Sequence, residues 1–304
     1  MKTKEKLQQY LNYCEFQKTL DSKTLKAYRI DLRQYLEGIG TEGPGKQEIE
    51  NYIAGLHQKY KQKTVKRKIA SIKAFYNYLE EEEIIESSPF RKIKVKFKEN
   101  ITLPRIIPRK EIETLLNSMY ASVMISDTKE KKYKLRDLAI VEVFFATGAR
   151  VYEISNIKKE CVDLDSGLIR IMGKGGKERY IQVGEESVVA LLKKYSEVNA
   201  EAINSCGYFF VNQRGRRFTE QSIRLMLRKY LGQAEIVRKI TPHMFRHSFA
   251  TYLLEEGVDV SYVQRMLGHS SINTTQIYIH VAAKKQAEIL RNMHPRKKMK
   301  IISG

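Results

Sequence analysis

The sequence predicts a mainly α protein with one small β-sheet (α+β), divided into two domains of unequal size. Three observations carry that expectation. Apolar residues recur at helical spacing through most of residues 1–90 and again through much of 105–293. One stretch, Asp163 to Val183, changes to the two-residue period of strands. Between the helical regions, residues 91–104 are strongly basic and end at Leu103-Pro104. A chain of 304 residues is long enough for two cores, at roughly 100–200 residues per domain.

The elements follow in order. Ser22 is a candidate N-cap, and Leu25, Tyr28, Leu32, Tyr35 and Leu36 follow it at helical spacing. The run Gly40-Thr41-Glu42-Gly43-Pro44-Gly45 reads as a loop. A third helix covers about Lys46 to Lys59. A fourth, about Gln62 to Glu81, puts Val65, Ile69, Ile72, Phe75, Tyr76 and Leu79 on one face. Opposite that stripe stand Lys63, Arg67, Ala70, Ser71 and Ala74, with Lys66 close by. Two readings of this outer face stand side by side: an ordinary solvated surface, or cations beside small residues that let the helix approach a phosphate backbone.

Ser88-Pro89-Phe90 closes the first domain, expected at 1–90. Arg91 to Lys98 alternates cations with apolar residues. That pattern allows an edge strand, but five cations in eight residues favour a basic interdomain linker, 91–104. The second domain is expected at 105–293, with helices at about 109–120 and 135–147, the latter ended by Gly148. Ala121 to Lys134 reads as a polar surface loop. Leu168–Ile171 and Tyr180–Val183 flank Gly173-Lys174-Gly175-Gly176-Lys177 as a hairpin with lysines at its tip. Helices follow to about Met293, and a basic tail, 294–304, closes the chain.

Composition narrows the function. The net charge of +20 and pI near 9.7 favour a polyanionic partner, because cations that meet phosphates release condensed counterions. Charge alone does not distinguish DNA, RNA and an anionic lipid surface. No stretch reaches the roughly 18 apolar residues of a membrane helix, and no secretory signal is read at the N-terminus. Cys14, Cys161 and Cys206 form no paired pattern, so a reduced cytoplasm is the expected setting. There is no H-E-x-x-H, no ligand cluster for zinc and no carboxylate set for magnesium, and the hairpin tip lacks P-loop spacing; no metal or cofactor is expected.

The chemistry-bearing residues lie in the second domain. Thr241-Pro242 opens a helix whose stripe is Phe245, Phe249, Tyr252 and Leu253, with His243 and Arg246 on the opposite face. A histidine beside an arginine at a helix N-terminus outlines a phosphate site, though an exposed pair has the same spacing. Gly257 ends that helix, and a short one runs from Asp259 to Gly268. Beyond it come His269 and Thr274-Thr275-Gln276-Ile277-Tyr278. Singly, Tyr278 is one tyrosine among 18, Arg150 a helix-start residue and Lys174 a turn lysine.

Together these stretches resemble the tyrosine recombinase (phage integrase) family, most closely its Xer-like members. The resemblance runs from Ser22-Lys23-Thr24-Leu25-Lys26-Ala27-Tyr28 to about His280. It rests on Ala146-Thr147-Gly148-Ala149-Arg150-Val151-Tyr152-Glu153-Ile154, Gly173-Lys174-Gly175-Gly176-Lys177-Glu178-Arg179, His243-Met244-Phe245-Arg246-His247 and Leu267-Gly268-His269 through Tyr278. It implies a helical N-terminal core-binding (SAM-like) domain and a catalytic recombinase domain.

The same resemblance implies roles. Tyr278 is the expected nucleophile, giving a 3′-phosphotyrosine and a free 5′-hydroxyl. Arg150 and Arg246 clamp the phosphate oxygens, Lys174 protonates the leaving oxygen, His243 takes the tyrosine proton, and His269 donates a hydrogen bond to the phosphate. Glu153, one turn from Arg150, orients the cluster. Lys63, Lys66, Arg67 and Ser71 become candidate DNA contacts.

The implied partners are double-stranded DNA with an inverted-repeat core site and further copies of the chain. Four copies on two sites would exchange strands through a Holliday junction, with the C-terminal helix docking in trans. A cytoplasmic, nucleoid-associated location follows. The rival readings are a type IB topoisomerase, which relaxes DNA by similar chemistry, and a non-catalytic DNA-binding protein.

Overall fold

The computed structural model describes residues 3–40, 44–93, 95, 97, 105–173 and 178–268. The chain divides into two compact units, Met1–Asn100 and Ile101–Gly304. Each has its own hydrophobic cluster.

In the first unit, α1 (Thr3–Asn12) runs into a π-helical turn, Tyr13–Gln17. Then come α2 (Ser22–Ile39), α3 (Lys46–Lys59), α4 (Gln62–Glu81) and a 3₁₀ turn, Pro89–Lys92. The periodicity of α3 and α4 located both ends of each helix. The start of α2 differs by one residue. Asp21, not Ser22, is the N-cap: its carboxylate accepts from the backbone N–H groups of Lys23 (3.1 Å) and Thr24 (2.9 Å). An anion at the positive end of a helix is favoured there twice, by hydrogen bonding and by the dipole.

The outer face of α4 needs a larger correction. Ser71 is fully buried, and its hydroxyl donates to the carbonyl of Lys68 (2.8 Å) and to the Asp31 carboxylate (3.3 Å). Asp31 projects from α2 and is itself wholly buried. Its oxygens also accept from Lys68 (3.0 Å) and from Arg67. Lys68 is buried too, bonded to Gln34 as well as Asp31. The buried arc of α4 is thus wider than its apolar stripe, because a carboxylate on the neighbouring helix allows a polar strip to pack inward.

Among the described residues of the alternating basic segment, Arg91 and Lys92 belong to the 3₁₀ turn and none lies in a strand. Phe90 and Ile93 are buried in the first core, and Val95 and Phe97 pack against it, Phe97 beside His57. The apolar half of the alternation is used for packing within the first unit.

In the second unit, α5 (Arg109–Met124) and α6 (Thr128–Thr147) replace most of the expected loop at 121–134. Only Ile125-Ser126-Asp127 separates them, and Asp127 caps α6 by accepting from the N–H of Glu130 at 2.9 Å. Most of the polar run that suggested a loop is the first turns of a helix, where Lys131, Lys132, Tyr133 and Lys134 are half-buried. Further along, Leu135, Leu138, Ala139, Ile140, Val141, Val143 and Phe144 are all buried, so this stretch of α6 is enclosed on every side.

A five-residue helix, α7 (Val151–Ser155), precedes the sheet. Strands β1 (Val162–Asp163), β2 (Leu168–Met172) and β3 (Glu178–Gln182) lie in the order β1-β2-β3, antiparallel. Pairing runs from Leu168↔Gln182 to Met172↔Glu178, with β3 starting two residues earlier than expected. Then follow α8 (Glu186–Val198), α9 (Ala200–Cys206), α10 (Glu220–Gln233), α11 (Pro242–Glu255) and α12 (Val260–Leu267).

Thr241 occupies the N-cap of α11 in extended conformation, but its side chain makes no capping bond. The expected stripe is also too narrow. Phe245 is fully buried, whereas Phe249, Tyr252 and Leu253 are half-buried; Met244, Ser248, Thr251 and Arg246 are buried instead. Ser248 accepts from the backbone N–H of Ile107 (2.8 Å), tying the start of the unit to α11.

Candidate active site

Four short stretches converge in the second unit. The first is the end of α6. Gly148 closes the helix at φ +58°, and a Cβ there would come 2.6 Å from Phe249 and 2.8 Å from Leu267. Only glycine fits both the backbone and the space. Thr147 supports the same turn: its hydroxyl donates to the Val143 carbonyl (2.6 Å) and accepts from the N–H of Ala149 (3.2 Å). The turn delivers Arg150 to the N-cap of α7, where its side chain remains 39% exposed.

Glu153, one turn into α7, is the hub. Its side chain is 2% exposed, and its two oxygens accept four hydrogen bonds. One oxygen receives Arg150 Nη1 (2.9 Å) and Arg179 Nη1 (2.9 Å). The other receives the backbone N–H of Arg150 (2.7 Å) and Arg179 Nη2 (2.8 Å). Burial alone would raise this carboxyl, but the hydrogen bonds from Arg179 and the Arg150 backbone, with both guanidinium charges, hold it below the usual range.

Arg179 comes from β3 and was not singled out in the sequence. Its Nε also donates to the carbonyl of Met266 at 2.9 Å, so one guanidinium spans β3, α7 and the end of α12. A signal was present. In β3, Arg179 shares its face with the buried Ile181, whereas Glu178, Tyr180 and Gln182 are exposed. A cation in register with core positions needs a buried partner.

Arg246 is buried in α11 and performs a parallel task. Its Nη1 donates to the carbonyl of Gly148 (2.9 Å) and its Nη2 to that of Leu267 (2.6 Å). Three guanidinium groups and one carboxylate therefore stand around the turn at Gly148 and the end of α12. His243 is exposed one turn before Arg246. His247 is half-buried, and burial, with His243 and Arg246 nearby, pushes its pKa down.

Of the expected residues, the structure thus brings together Arg150, Glu153 and Arg246, with His243 on the same helix as Arg246. Lys174, His269 and Tyr278 lie outside the described residues. In the first unit, Lys63 and Lys66 are exposed on α4. Arg67 is bound to Asp31 although its side chain is 45% exposed, and Ser71 is withdrawn from the surface altogether. Among the described residues, no group of three or more His, Cys, Asp or Glu side chains is placed to hold a metal ion. No described helix is long and apolar enough to cross a membrane.

Residues 106–285 match the phage integrase family, and residues 7–83 match the phage integrase N-terminal SAM-like domain. The chain is 50% identical over 292 residues to a tyrosine recombinase of Agathobacter rectalis, covering 95% of each chain. It is 35% identical over 297 residues to tyrosine recombinase XerC of Thermodesulfovibrio yellowstonii, covering 94% of this chain and 95% of that one. Among solved structures, its fold resembles the XerH site-specific recombinase bound to its palindromic difH substrate in a post-cleavage complex. That likeness has a TM-score of 0.74 and 22% identity, over 94% of this chain and 83% of that one. A lambda integrase fragment, solved as a dimer bound to a COC′ core site, shares the fold at a TM-score of 0.69 and 15% identity, over 100% of both chains.

Proposed function

Because the chain belongs to the phage integrase family, we propose that its reaction runs through a covalent bond between Tyr278 and a DNA phosphate, with the arginine cluster of the second unit as the phosphate clamp. The chain is a tyrosine recombinase, an enzyme of site-specific recombination that cleaves and rejoins DNA. The assignment of residues to steps is our reading.

In that reading, Tyr278 attacks the scissile phosphorus. The bond from its oxygen to phosphorus forms as the bond to the 5′-oxygen breaks, leaving a 3′-phosphotyrosine. His243 takes the tyrosine proton, and Lys174 protonates the departing 5′-oxygen. Arg150 and Arg246 meet the non-bridging oxygens, whose charge is redistributed at the transition state, and His269 adds a hydrogen bond. A 5′-hydroxyl from another strand then reverses these steps. The energy of the phosphodiester is kept in the tyrosyl ester, so no nucleotide is consumed.

The observation that supports this best is the pair of bonds from Arg246 to the carbonyls of Gly148 and Leu267. They gather at one guanidinium the turn that presents Arg150 and the helix end that leads toward His269 and Tyr278. The substrate we propose is duplex DNA carrying an inverted-repeat core site, bound with steep salt dependence by a chain of charge +20. The assembly is four copies on two sites, exchanging strands through a Holliday junction, with the C-terminal segment docking on a neighbouring copy. The exposed Lys63 and Lys66 of α4 are offered as backbone contacts.

The test is direct. Purified protein is incubated with fragmented DNA from its source genome and denatured in SDS, and the protein-linked ends are captured and sequenced, with Tyr278→Phe as control. Adducts that need Tyr278 and map to a short inverted repeat support the reading. Adducts that need Tyr278 but scatter without a site speak for relaxation of the topoisomerase kind. Adducts formed equally by Tyr278→Phe would remove Tyr278 as nucleophile.

A further inference from the structure

We propose that Arg179 is a positioning residue that keeps Arg150 available to the phosphate by occupying the other half of the Glu153 carboxylate. The inference rests on the reading of Arg150 as a phosphate clamp and adds to it a residue with a different task.

A carboxylate offers about four acceptor directions. At Glu153 all four are taken, two by Arg179 and two by Arg150. One of the Arg150 bonds comes from its backbone, so Arg150 spends a single guanidinium nitrogen on the carboxylate. Arg179 makes the two-pronged fork instead, and its side chain is 10% exposed against 39% for Arg150. The inner guanidinium thus satisfies the buried anion, and the outer one is left turned toward solvent.

Without Arg179, two lone pairs of a carboxylate that is 2% exposed lose their donors. Leaving them unmet is costly, and the nearest remaining donor is the Arg150 guanidinium. Rotation into a fork of its own would satisfy Glu153 and draw Arg150 away from the phosphate. The charge balance changes as well. Two guanidinium groups on one carboxylate leave a net positive pair for a phosphate, whereas Arg150 alone on Glu153 is neutral.

The test is a double-mutant comparison, using the full chain and the DNA site recovered by adduct sequencing, with single-turnover cleavage and duplex affinity as readouts. Arg179→Met is expected to slow cleavage by roughly 10–100-fold with affinity within about threefold of the parent. Arg179→Lys, which keeps a charge beside Glu153 but not the fork, is expected to fall between the two. The decisive variant is Arg179→Met with Glu153→Gln. Once the carboxylate charge is gone, Arg150 is no longer captured, and cleavage should recover by about tenfold over Arg179→Met.

If Arg179 only ties β3 to α12 through Met266, the double variant will be no faster than Arg179→Met, and the proposal fails. Should Arg179→Met not fold, the same comparison between Arg179→Lys and Arg179→Lys with Glu153→Gln decides it. If the parent forms no adduct at all, the clamp reading fails and takes this inference with it, a result distinct from a cleaving parent whose double variant shows no recovery.

Discussion

Arg246 and Gly148 are 98 residues apart in the chain, yet the guanidinium of one donates to the carbonyl of the other at 2.9 Å. Gly148 stands two residues before Arg150, so the buried arginine of α11 fixes the turn that presents the exposed arginine of α7. The two expected clamp residues are joined through the backbone and do not touch through a shared carboxylate.

This tie makes Arg246 both structural and chemical. Arg246→Ala leaves the buried carbonyls of Gly148 and Leu267 without their donor, an expected loss of about 1–3 kcal/mol. Cleavage should fall by roughly 10²–10³-fold or more, as for removal of a preorganised charge-stabilising donor. Urea denaturation and single-turnover cleavage measure the two effects separately. A variant that unfolds normally late and still cleaves would remove Arg246 from the site.

Gly148→Ala tests the turn without altering any charge. The new methyl group meets Phe249 and Leu267 inside contact distance in a left-handed backbone conformation. The expected cost is about 2–4 kcal/mol, from strain together with overpacking, read as a lower urea midpoint. Because Arg150 follows two residues later, activity at a temperature where the variant is still folded should fall too.

In the first unit, Asp31→Ala should destabilise by about 3–5 kcal/mol, because Lys68 would remain buried without its counter-charge. Asp31→Leu with Lys68→Met removes both charges and should cost less than Asp31→Ala alone. Equal losses in the two variants would show that the pair is not the source. Arg67, released from Asp31, gains freedom, so the salt dependence of duplex binding is worth measuring on the same proteins.

The Glu153 carboxyl has a lowered pKa in the folded protein. A lowered acid contributes stability that is fully present above the unfolded value, about 4.3 for glutamate, and is lost as pH falls through the folded value. The stability gap between the parent and Glu153→Gln should therefore be widest near neutral pH and should shrink below about pH 4.3. Urea titrations at a series of pH values read the gap, and a gap that widens on acidification contradicts the assignment.

Much of this was legible in the residues. The ends of α3 and α4 follow from apolar spacing, and the hairpin from two alternating runs around a glycine-rich turn. Gly148 and Gly268 mark helix ends because both adopt positive φ. What escaped has a common physical origin: polar groups whose partners lie far away in sequence. Ser71 and Lys68 look like surface residues until Asp31 of another helix is placed against them. Arg246 looks like half of an exposed pair until two distant carbonyls meet it. The start of α6 was hidden because its first turn carries no apolar residue, leaving the Asp127 cap as the local cue. The site roles came from motif order, and motif order names residues without saying which of them are buried or what holds them.

The last two carbonyls of α12 are each claimed by an arginine from elsewhere, Met266 by Arg179 and Leu267 by Arg246. A helix end held in this way is a natural boundary for engineering. A chimera that imports a foreign C-terminal segment keeps both anchors if the junction falls after Gly268. Moved a few residues earlier, the same splice would exchange the acceptors themselves, and the graft would have to rebuild the arginine cluster before it could be judged on its own merits.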